Sequence, residues 1–458
     1  MKKIYFIGIN GIGMSGLAKI MKTKRYSVKG SDLTRSYVTD EMESMGIRIY
    51  GAHVGSQVKG SDMVIASSAI KYDNPEYAYA REQGIRIMKR GELLAMLLND
   101  ETGVAIAGTH GKTTTTSMMS SVMLNLDPTI VVGGILPEIG SNAKTGASEY
   151  FVAEADESDN SFLYMYPKYS VITNIEEDHM ENHGSLSNII KSFSVFLDQT
   201  KIEAVVCADN PNVREIVAMK KRISQRSPVL VTYGIGDRDY DIFASDIRVE
   251  GRSTTYEVFL RGGSLGRFAL SIPGAHNVSN SLPVIYLAGK FGVPMEEIRE
   301  KLRAFKGSRR RYDVVYENEN SGIRIIDDYA HHPTEIRATL DGARSVEKGD
   351  ITVIFQPHRY SRVKFLLRQF KDVFDKAGEV ILLPIYSAGE RDEFGVTLED
   401  LRDAIGHPNV RIEKDSARIK DMILNSGGKR VWLFMGAGDI SKIARDAGDA
   451  LRAREGGV

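Results

Sequence analysis

Only one cysteine, Cys207, and one tryptophan occur among the 458 residues. A single thiol excludes an intrachain disulfide, and with it the small secreted scaffolds that rely on such bonds. Net charge is absent too. Lysine plus arginine number 60 and aspartate plus glutamate number 60, so no overall basic field draws in nucleic acid or an anionic membrane, and any anion site must be local. Nor does any stretch approach the roughly 20 apolar residues needed to span a bilayer. No internal repeat and no low-complexity tract is present, which excludes solenoids and long disordered tails. The opening MKKIYFIGINGIGMSG joins a basic start to a short apolar run. Its glycines and the helical pattern that follows argue against a secretory leader, and a cytoplasmic location is expected.

What is present is a chain long enough for two to four domains, with 42% apolar residues, as folded globular domains require. Short apolar runs (KIYFIGI, YSVKGSD, SDMVIASSAI, GIRIMKR) alternate with helical patterns, the rhythm of βαβ units on a parallel sheet. The polar NDETG near residue 100 breaks that rhythm, and a new strand, VAIAG, begins. From about Tyr240 to Ile272 the period changes to two, predicting an antiparallel β insertion. After FKGSRRRYD, another α/β series starts with IRIIDDYAHHP. The expectation is a three-domain α/β protein: a Rossmann-like domain over 1–99, a P-loop ATPase-like domain with its β insertion over 100–306, and a second Rossmann-like domain over 307–458.

Two phosphate cradles stand out. In GTHGKTTTT, a buried strand leads through Gly108, Thr109 and Gly111 into a helix that starts at Lys112. The free N–H groups and dipole of such a helix start favour an anion, Lys112 would reach the β- and γ-phosphates of ATP, and Thr113 or Thr114 would offer a hydroxyl to Mg²⁺. Threonine is a poor helix former, so the run Thr113 to Thr116 reads as hydroxyls kept for ligand chemistry. The motif is a shortened variant of the Walker A loop, since Ile106 stands where its first glycine belongs. The second cradle, Gly11-x-Gly13-x-x-Gly16 with Asp32 after the next strand, fits a dinucleotide or other diphosphate. A nicotinamide oxidoreductase is one reading, but it has no need of two cradles.

Acids and histidines gather at other strand ends. EADESD supplies Glu154, Asp156, Glu157 and Asp159, and TNIEEDHMENH supplies Asn174, Asp178, His179 and His183. Hard ligands beside phosphate suit Mg²⁺. A zinc-protease pairing of His179 with His183 lacks its glutamate, because Met180 follows His179. Further on, Asp327, Asp328, Tyr329, His331 and His332 follow one strand, and His358, Arg359 and Arg362 follow the next. Paired arginines can fork a carboxylate, and a neighbouring histidine can orient or deprotonate an amine. Arg309 to Arg311 could act on transferred phosphate, whereas MGAGDI at 435–440 reads as close strand-to-helix packing.

Seven motifs in order, GINGIGMSG, GTHGKTTTT, EADESD, TNIEEDHM, GAHNVSN, DDYAHHPTE and FQPHRYSR, closely resemble those of the Mur ligases over almost the whole chain. The resemblance implies ATP-driven amide formation in peptidoglycan precursor synthesis, with UDP-N-acetylmuramate and L-alanine as partners. The muramate carboxylate is phosphorylated, and the alanine amine then attacks the acyl phosphate. It implies that Lys112, Arg311, His179 and His331 are catalytic, that Thr113, Glu154 and His179 bind Mg²⁺, and that Asn277, Asn280, Asp328 and Arg311 join Gly108 to Thr114 around ATP. Tyr329, His331, His358, Arg359 and Arg362 would hold the acceptor. Gly11, Ile12, Gly13, Asp32, Ser67 and Ser68 would hold the UDP moiety. A recycling ligase that takes a preformed tripeptide is the nearest alternative, and FQPHRYSR at 355–362 favours free alanine. A monomer or weak homodimer is expected, and Lys112→Ala is expected to abolish activity with the fold intact.

Overall fold

A computed structural model gives the structure of the chain and describes residues 2–67, 69–223, 228–427 and 430–455. The first sheet holds β1 (Lys3–Ile7), β2 (Ser27–Ser31), β3 (Arg48–Tyr50), β4 (Met63–Ala66) and β5 (Arg86–Lys89), all parallel in the order β3-β2-β1-β4-β5. The order reverses between β1 and β4, which opens a crevice beyond their carboxyl ends, where α/β sheets bind ligands. The glycine loop follows β1, and Ser67 follows β4. Ser68 lies outside the described residues.

The second series of strands comprises β6 (Thr102–Ala107), β7 (Thr129–Leu136), β8 (Ser141–Lys144), β9 (Tyr150–Glu154), β10 (Tyr169–Ile172), β11 (Glu203–Cys207) and β12 (Val229–Ile235), ordered β12-β11-β10-β6-β9-β7-β8. Every residue of β6 is buried, as expected of a central parallel strand covered on both faces. Then come β13 (Ile242–Glu250), β14 (Ser253–Leu260) and β15 (Gly263–Leu270), and β14 pairs antiparallel with β15. The β insertion expected from the period-two pattern is therefore present.

The third sheet contains β16 (Asp313–Asn318), β17 (Ile323–Asp328), β18 (Asp350–Phe355), β19 (Glu379–Leu382), β20 (Val410–Ile412) and β21 (Arg430–Met435), in the order β16-β17-β21-β18-β19-β20. Only β16 runs antiparallel to its neighbour. Alternate residues enter different cores: Val431, Leu433 and Met435 pack with Val353 and Phe355, while Trp432 and Phe434 pack with Ile325 and Ile354. Helices thus cover both faces.

The three sheets that the expected three-domain α/β chain calls for are present, and the chain groups into two compact units. The first comprises Met1–Glu176, Leu186–Phe243 and Leu282–Ile298, and the second Glu177–Ser185, Ala244–Ser281 and Arg299–Val458. The first two sheets merge because helix Ile12–Thr23 packs on the β7–β8 strands. A Cβ on Gly16 would lie 2.8 Å from Asn142 Nδ2 and 3.0 Å from the Ala143 Cβ. Asn142 Nδ2 also donates to the Ile12 carbonyl, and Lys19 Nζ to Ser141 Oγ at 2.6 Å. The third glycine of the fingerprint is small for this packing.

Candidate active site

In the first unit, the phosphate loop owes its shape to two glycines. Gly108 has φ +140°, and a Cβ there would fall 1.9 Å from Thr173 Oγ1, while Gly111 caps helix Lys112–Val122 with φ +81°. Both positions exclude a side chain in the conformation seen. Asn174 holds the loop from the neighbouring strand end, accepting from the His110 N–H at 2.8 Å and donating to the His110 carbonyl at 3.0 Å. Thr109 is buried and joins the same scaffold, its Oγ1 accepting from the Glu176 N–H at 2.9 Å.

Thr113 Oγ1 lies 3.0 Å from both oxygens of Glu154, and the Gly133 N–H donates to the same carboxylate at 2.8 Å. A hydroxyl and a carboxylate that converge at a helix start are a hard-oxygen set, so the residues fit Mg²⁺. The remaining threonines serve otherwise. Thr114 to Thr116 are buried, and Thr116 Oγ1 donates back to the Lys112 carbonyl at 2.8 Å. The run therefore owes more to packing a helix buried all round than to ligand chemistry, and only Thr113 faces Glu154.

Lys112 also has a second role. Its Nζ lies 2.9 Å from both oxygens of Glu157 and donates to the carbonyls of Gly108 and Thr109. The two side chains are only 14% and 5% exposed. Burial opposes the ammonium, but Glu157, Glu154 and Asp156 outweigh it and raise its pKa. Burial, aided by Asp156, pushes the Glu157 carboxyl up to about 7. The expectation that Lys112 carries no structural role is corrected: it neutralises a buried acid.

The first glycine loop is braced by Asp32, which accepts from the Asn10 N–H at 2.9 Å and from the Thr34 N–H and hydroxyl. Gly8 lies against Ser67, whose Cβ a side chain at Gly8 would meet at 3.1 Å. Gly11, Ile12 and Gly13 lead into the helix, and Ile12 is 40% exposed.

In the second unit, the residues expected to hold the acceptor are brought together. Arg362 Nε and Nη2 fork Asp178 at 3.1 and 3.0 Å, both side chains being under a tenth exposed. Burial alone would raise the Asp178 carboxyl, but Arg362 and His179 hold it far below the usual range. Arg359 Nη1 donates to Glu181 at 3.1 Å, and Glu181 is 3.5 Å from His179 Nδ1. His358 Nδ1 lies 3.0 Å from Arg362 Nη1 and its ring stacks on Tyr386. Tyr329 has Arg310 and Arg311 over its ring at 4.7 and 5.1 Å and meets His331 edge-on. Arg310 is fixed by the Gly436 and Gly438 carbonyls at 2.7 and 3.0 Å, so the MGAGDI turn packs closely, as expected.

Of the residues expected around the nucleotide, Asn277 and Asn280 are buried, and Asn277 Nδ2 donates to the Pro273 carbonyl at 2.7 Å. Asp328 accepts from the Tyr312 and Ala330 N–H groups, each at 2.8 Å, and burial pushes it up to about 6. Its carboxylate shapes the turns that carry Arg311 and Tyr329. Arg311 Nη1 is 3.7 Å from Glu335.

His331 donates through Nδ1 to the Tyr329 carbonyl at 2.8 Å, which leaves Nε2 as an acceptor. Burial, with Arg362 nearby, lowers its pKa to about 3. So weak a base suits a hydrogen-bond acceptor and not a general base. Because the folded value lies below the unfolded 6.5, the unfolded chain takes the proton first. Stability is full above pH 6.5 and falls toward pH 3, by up to about 1.4 kcal/mol per pH unit. His331→Gln should flatten the loss of urea midpoint between pH 7 and 5, and a variant as acid-sensitive as the parent would contradict the neutral assignment.

Sequence reasoning left out Glu157 as the partner of Lys112, Glu181 as the partner of Arg359, and the hold of Arg310 on the Gly436 and Gly438 carbonyls. Glu157 and Glu181 stand within motifs already singled out, and Arg310 is the neighbour of Arg311, so proximity to a motif was the only signal available.

Three family models match the chain: "Mur ligase family, catalytic domain" over residues 3–102, "Mur ligase middle domain" over 106–288, and "Mur ligase, glutamate ligase domain" over 310–438. A UDP-N-acetylmuramate--L-alanine ligase of Fusobacterium nucleatum is 56% identical, with 98% of this chain and 97% of the relative covered. One from Pelotomaculum thermopropionicum is 42% identical, covering 94% and 95%. The crystal structure of the UDP-N-acetylmuramate-alanine ligase of Thermotoga maritima superposes with a TM-score of 0.83 at 29% identity, covering 99% of this chain and 100% of that one.

Proposed function

The chain belongs to the Mur ligase family, and from that premise we infer that it joins L-alanine to the carboxylate of UDP-N-acetylmuramate at the expense of ATP. The geometric observation that carries this reading is the trio of Lys112, Thr113 and Glu154 at the mouth of a glycine loop. An ammonium, a hydroxyl and a carboxylate so placed fit a nucleoside triphosphate with its metal. Neither the tripeptide-joining alternative nor the nicotinamide alternative is favoured.

In the proposed sequence a muramate carboxylate oxygen attacks the γ-phosphorus, ADP leaves, and the alanine amine attacks the acyl carbon. Phosphate departs with the former carboxylate oxygen, and the amine proton passes to solvent. Lys112 and Arg311 offset the charge that gathers on the phosphoryl group. Thr113 and Glu154 would hold Mg²⁺, which neutralises phosphate charge when bound, and His179 is assigned to a second ion. Asn277 and Asn280 are assigned to the nucleoside, and the first glycine loop with Asp32 and Ser67 to UDP. His331 Nε2 accepts from the alanine nitrogen, and Arg359 and Arg362 face carboxylates. No helix among the described residues is long and apolar enough to cross a membrane, and a cytoplasmic site of action is proposed.

Arg359 is one-third exposed, and its bond to Glu181 is partly solvated, so its loss should cost about 1 kcal/mol of stability or less. Arg359→Ala should raise the alanine KM about 10- to 100-fold and leave the ATP KM within twofold of the parent value. An unchanged alanine dependence would count against the assignment.

The reading is tested by ADP release from ATP, Mg²⁺ and UDP-N-acetylmuramate, with either L-alanine or the L-Ala-γ-D-Glu-diaminopimelate tripeptide as acceptor. Turnover with alanine supports it. Turnover with tripeptide alone refutes it.

A further inference from the structure

Arg90 belongs to none of the motifs above, yet its guanidinium lies beside the first glycine loop and bonds to Asp156 of the EADESD stretch. It opens helix Arg90–Asn99. A Cβ on Gly13 would meet Arg90 Cδ at 3.0 Å, Nη1 at 3.2 Å and Nε at 3.5 Å, so the side chain lies across the turn that enters helix Ile12–Thr23. Its remaining nitrogen, Nη2, donates to Asp156 at 3.0 Å. Asp156 lies within the electrostatic field of Lys112 and is fixed by the Ser158 N–H at 3.0 Å and hydroxyl at 2.7 Å. The start of the Arg90 helix is held in turn, since a Cβ on Gly91 would fall 2.2 Å from Ser161 Cβ.

Two consequences follow from this placement. Gly13 is small because Arg90 occupies the space a side chain would need, whatever ligand the loop takes. Among the described residues, Nη1 and Nε make no hydrogen bond, while Nη2 is anchored. A guanidinium clamped through Nη2, only 20% exposed at its side chain, holds its unbonded Nη1 beside the turn in a preset plane. The N–H groups of Nη1 suit the oxygens of a phosphate, and the helix start beneath supplies further N–H groups.

Resting on the reading that this loop takes the UDP moiety, we propose that Arg90 binds the diphosphate of the UDP substrate through Nη1, with Asp156 as the positioning residue that holds it over Gly13. A lysine replaces it only in part, because a single ammonium cannot be anchored on Asp156 at one end and reach the phosphate from the other, as a planar guanidinium can.

The test is calorimetric binding of UDP-N-acetylmuramate, UDP and UMP to the full-length protein and to Arg90→Ala and Arg90→Lys. Arg90→Ala should weaken UDP-N-acetylmuramate and UDP about 10- to 100-fold and UMP far less, so that the preference for diphosphate over monophosphate collapses. Arg90→Lys should recover only part of it. In turnover, the KM for UDP-N-acetylmuramate should rise while those for ATP and alanine stay within twofold. A variant that melts with the parent and keeps the parent's UDP-over-UMP preference overturns the proposal. So does a loss that falls equally on UDP and UMP, since that is the mark of a merely structural arginine. The binding arms need no catalysis, so a parent protein that fails to use alanine would sink the ligase reading while leaving this one testable.

Discussion

Lys112→Ala is expected to lower kcat about 10³-fold, the scale on which an electrostatic donor to a transition state is lost, and to lower the melting temperature as well. The second effect comes from Glu157. With Lys112 gone, a carboxylate that is 5% exposed loses its counter-ion, and removing one partner of a buried pair costs about 3 kcal/mol or more. Protonation softens the loss. Burial already places the Glu157 pKa near 7, and removing the neighbouring cation pushes it higher. An acid with a raised folded pKa binds its proton in the folded state first, so its contribution is lost as pH rises through that value. In the parent, the raised Lys112 pKa keeps the ammonium charged throughout this range. The stability deficit of Lys112→Ala should therefore widen between pH 7 and 9. Adding Glu157→Gln should restore the melting temperature without restoring turnover. Recovery of activity in the double variant would show that Lys112 acts only as a structural cation.

Arg362→Ala should be the most damaging change in the second unit. Its fork with Asp178 is buried on both sides, and Asp178 is held ionised by that guanidinium. The orphaned charge should cost about 3–5 kcal/mol, and alanine-dependent turnover should fall below detection. Two effects are combined in that loss, and Asp178→Asn separates them. A neutral amide removes the buried charge, so Arg362→Ala with Asp178→Asn should recover most of the stability and none of the activity. If the double variant stays as unstable as the single one, the pair is not the source of the loss. Arg359→Ala, at a partly solvated site, should by contrast alter alanine KM while the protein melts almost normally.

The sequence made legible whatever depends on backbone conformation. Gly108 and Gly111 need positive φ, and Gly108 has no room for a side chain beside Thr173, so the phosphate loop is written in residue types that nothing else can replace. Strands buried on both faces, such as β6, were equally readable, as was the period-two pattern of β14 and β15. Pairings between distant side chains were not. Lys112 and Glu157 are 45 positions apart, Arg90 and Asp156 are 66 apart, and Arg362 and Asp178 are 184 apart. No periodicity links such residues, because the sheet order alone brings them together. Asp32 and Asp328 are read from sequence as ligand-facing acids, and the structure adds that both carboxylates hold backbone N–H groups. An acid at a strand end looks the same in sequence whether it shapes a loop or faces a ligand.

The contact between the first two sheets was hidden for a similar reason. The polar NDETG near residue 100 marks a break in pattern, and nothing in it shows that Gly16 and Asn142 press the first sheet's helix onto the β7–β8 strands. A glycine in a fingerprint loop carries no mark of which neighbour demands it.

The measurement that bears most directly on the account is the fate of a carboxylate oxygen. UDP-N-acetylmuramate labelled with ¹⁸O in its carboxylate should be turned over with unlabelled ATP and L-alanine, and the phosphate released should be analysed by mass. Attack of the carboxylate on the γ-phosphorus, followed by attack of the amine on carbon, places one labelled oxygen in each phosphate. Phosphate free of label, in a reaction that still forms the alanine amide, would contradict activation of the carboxylate at the Lys112 loop.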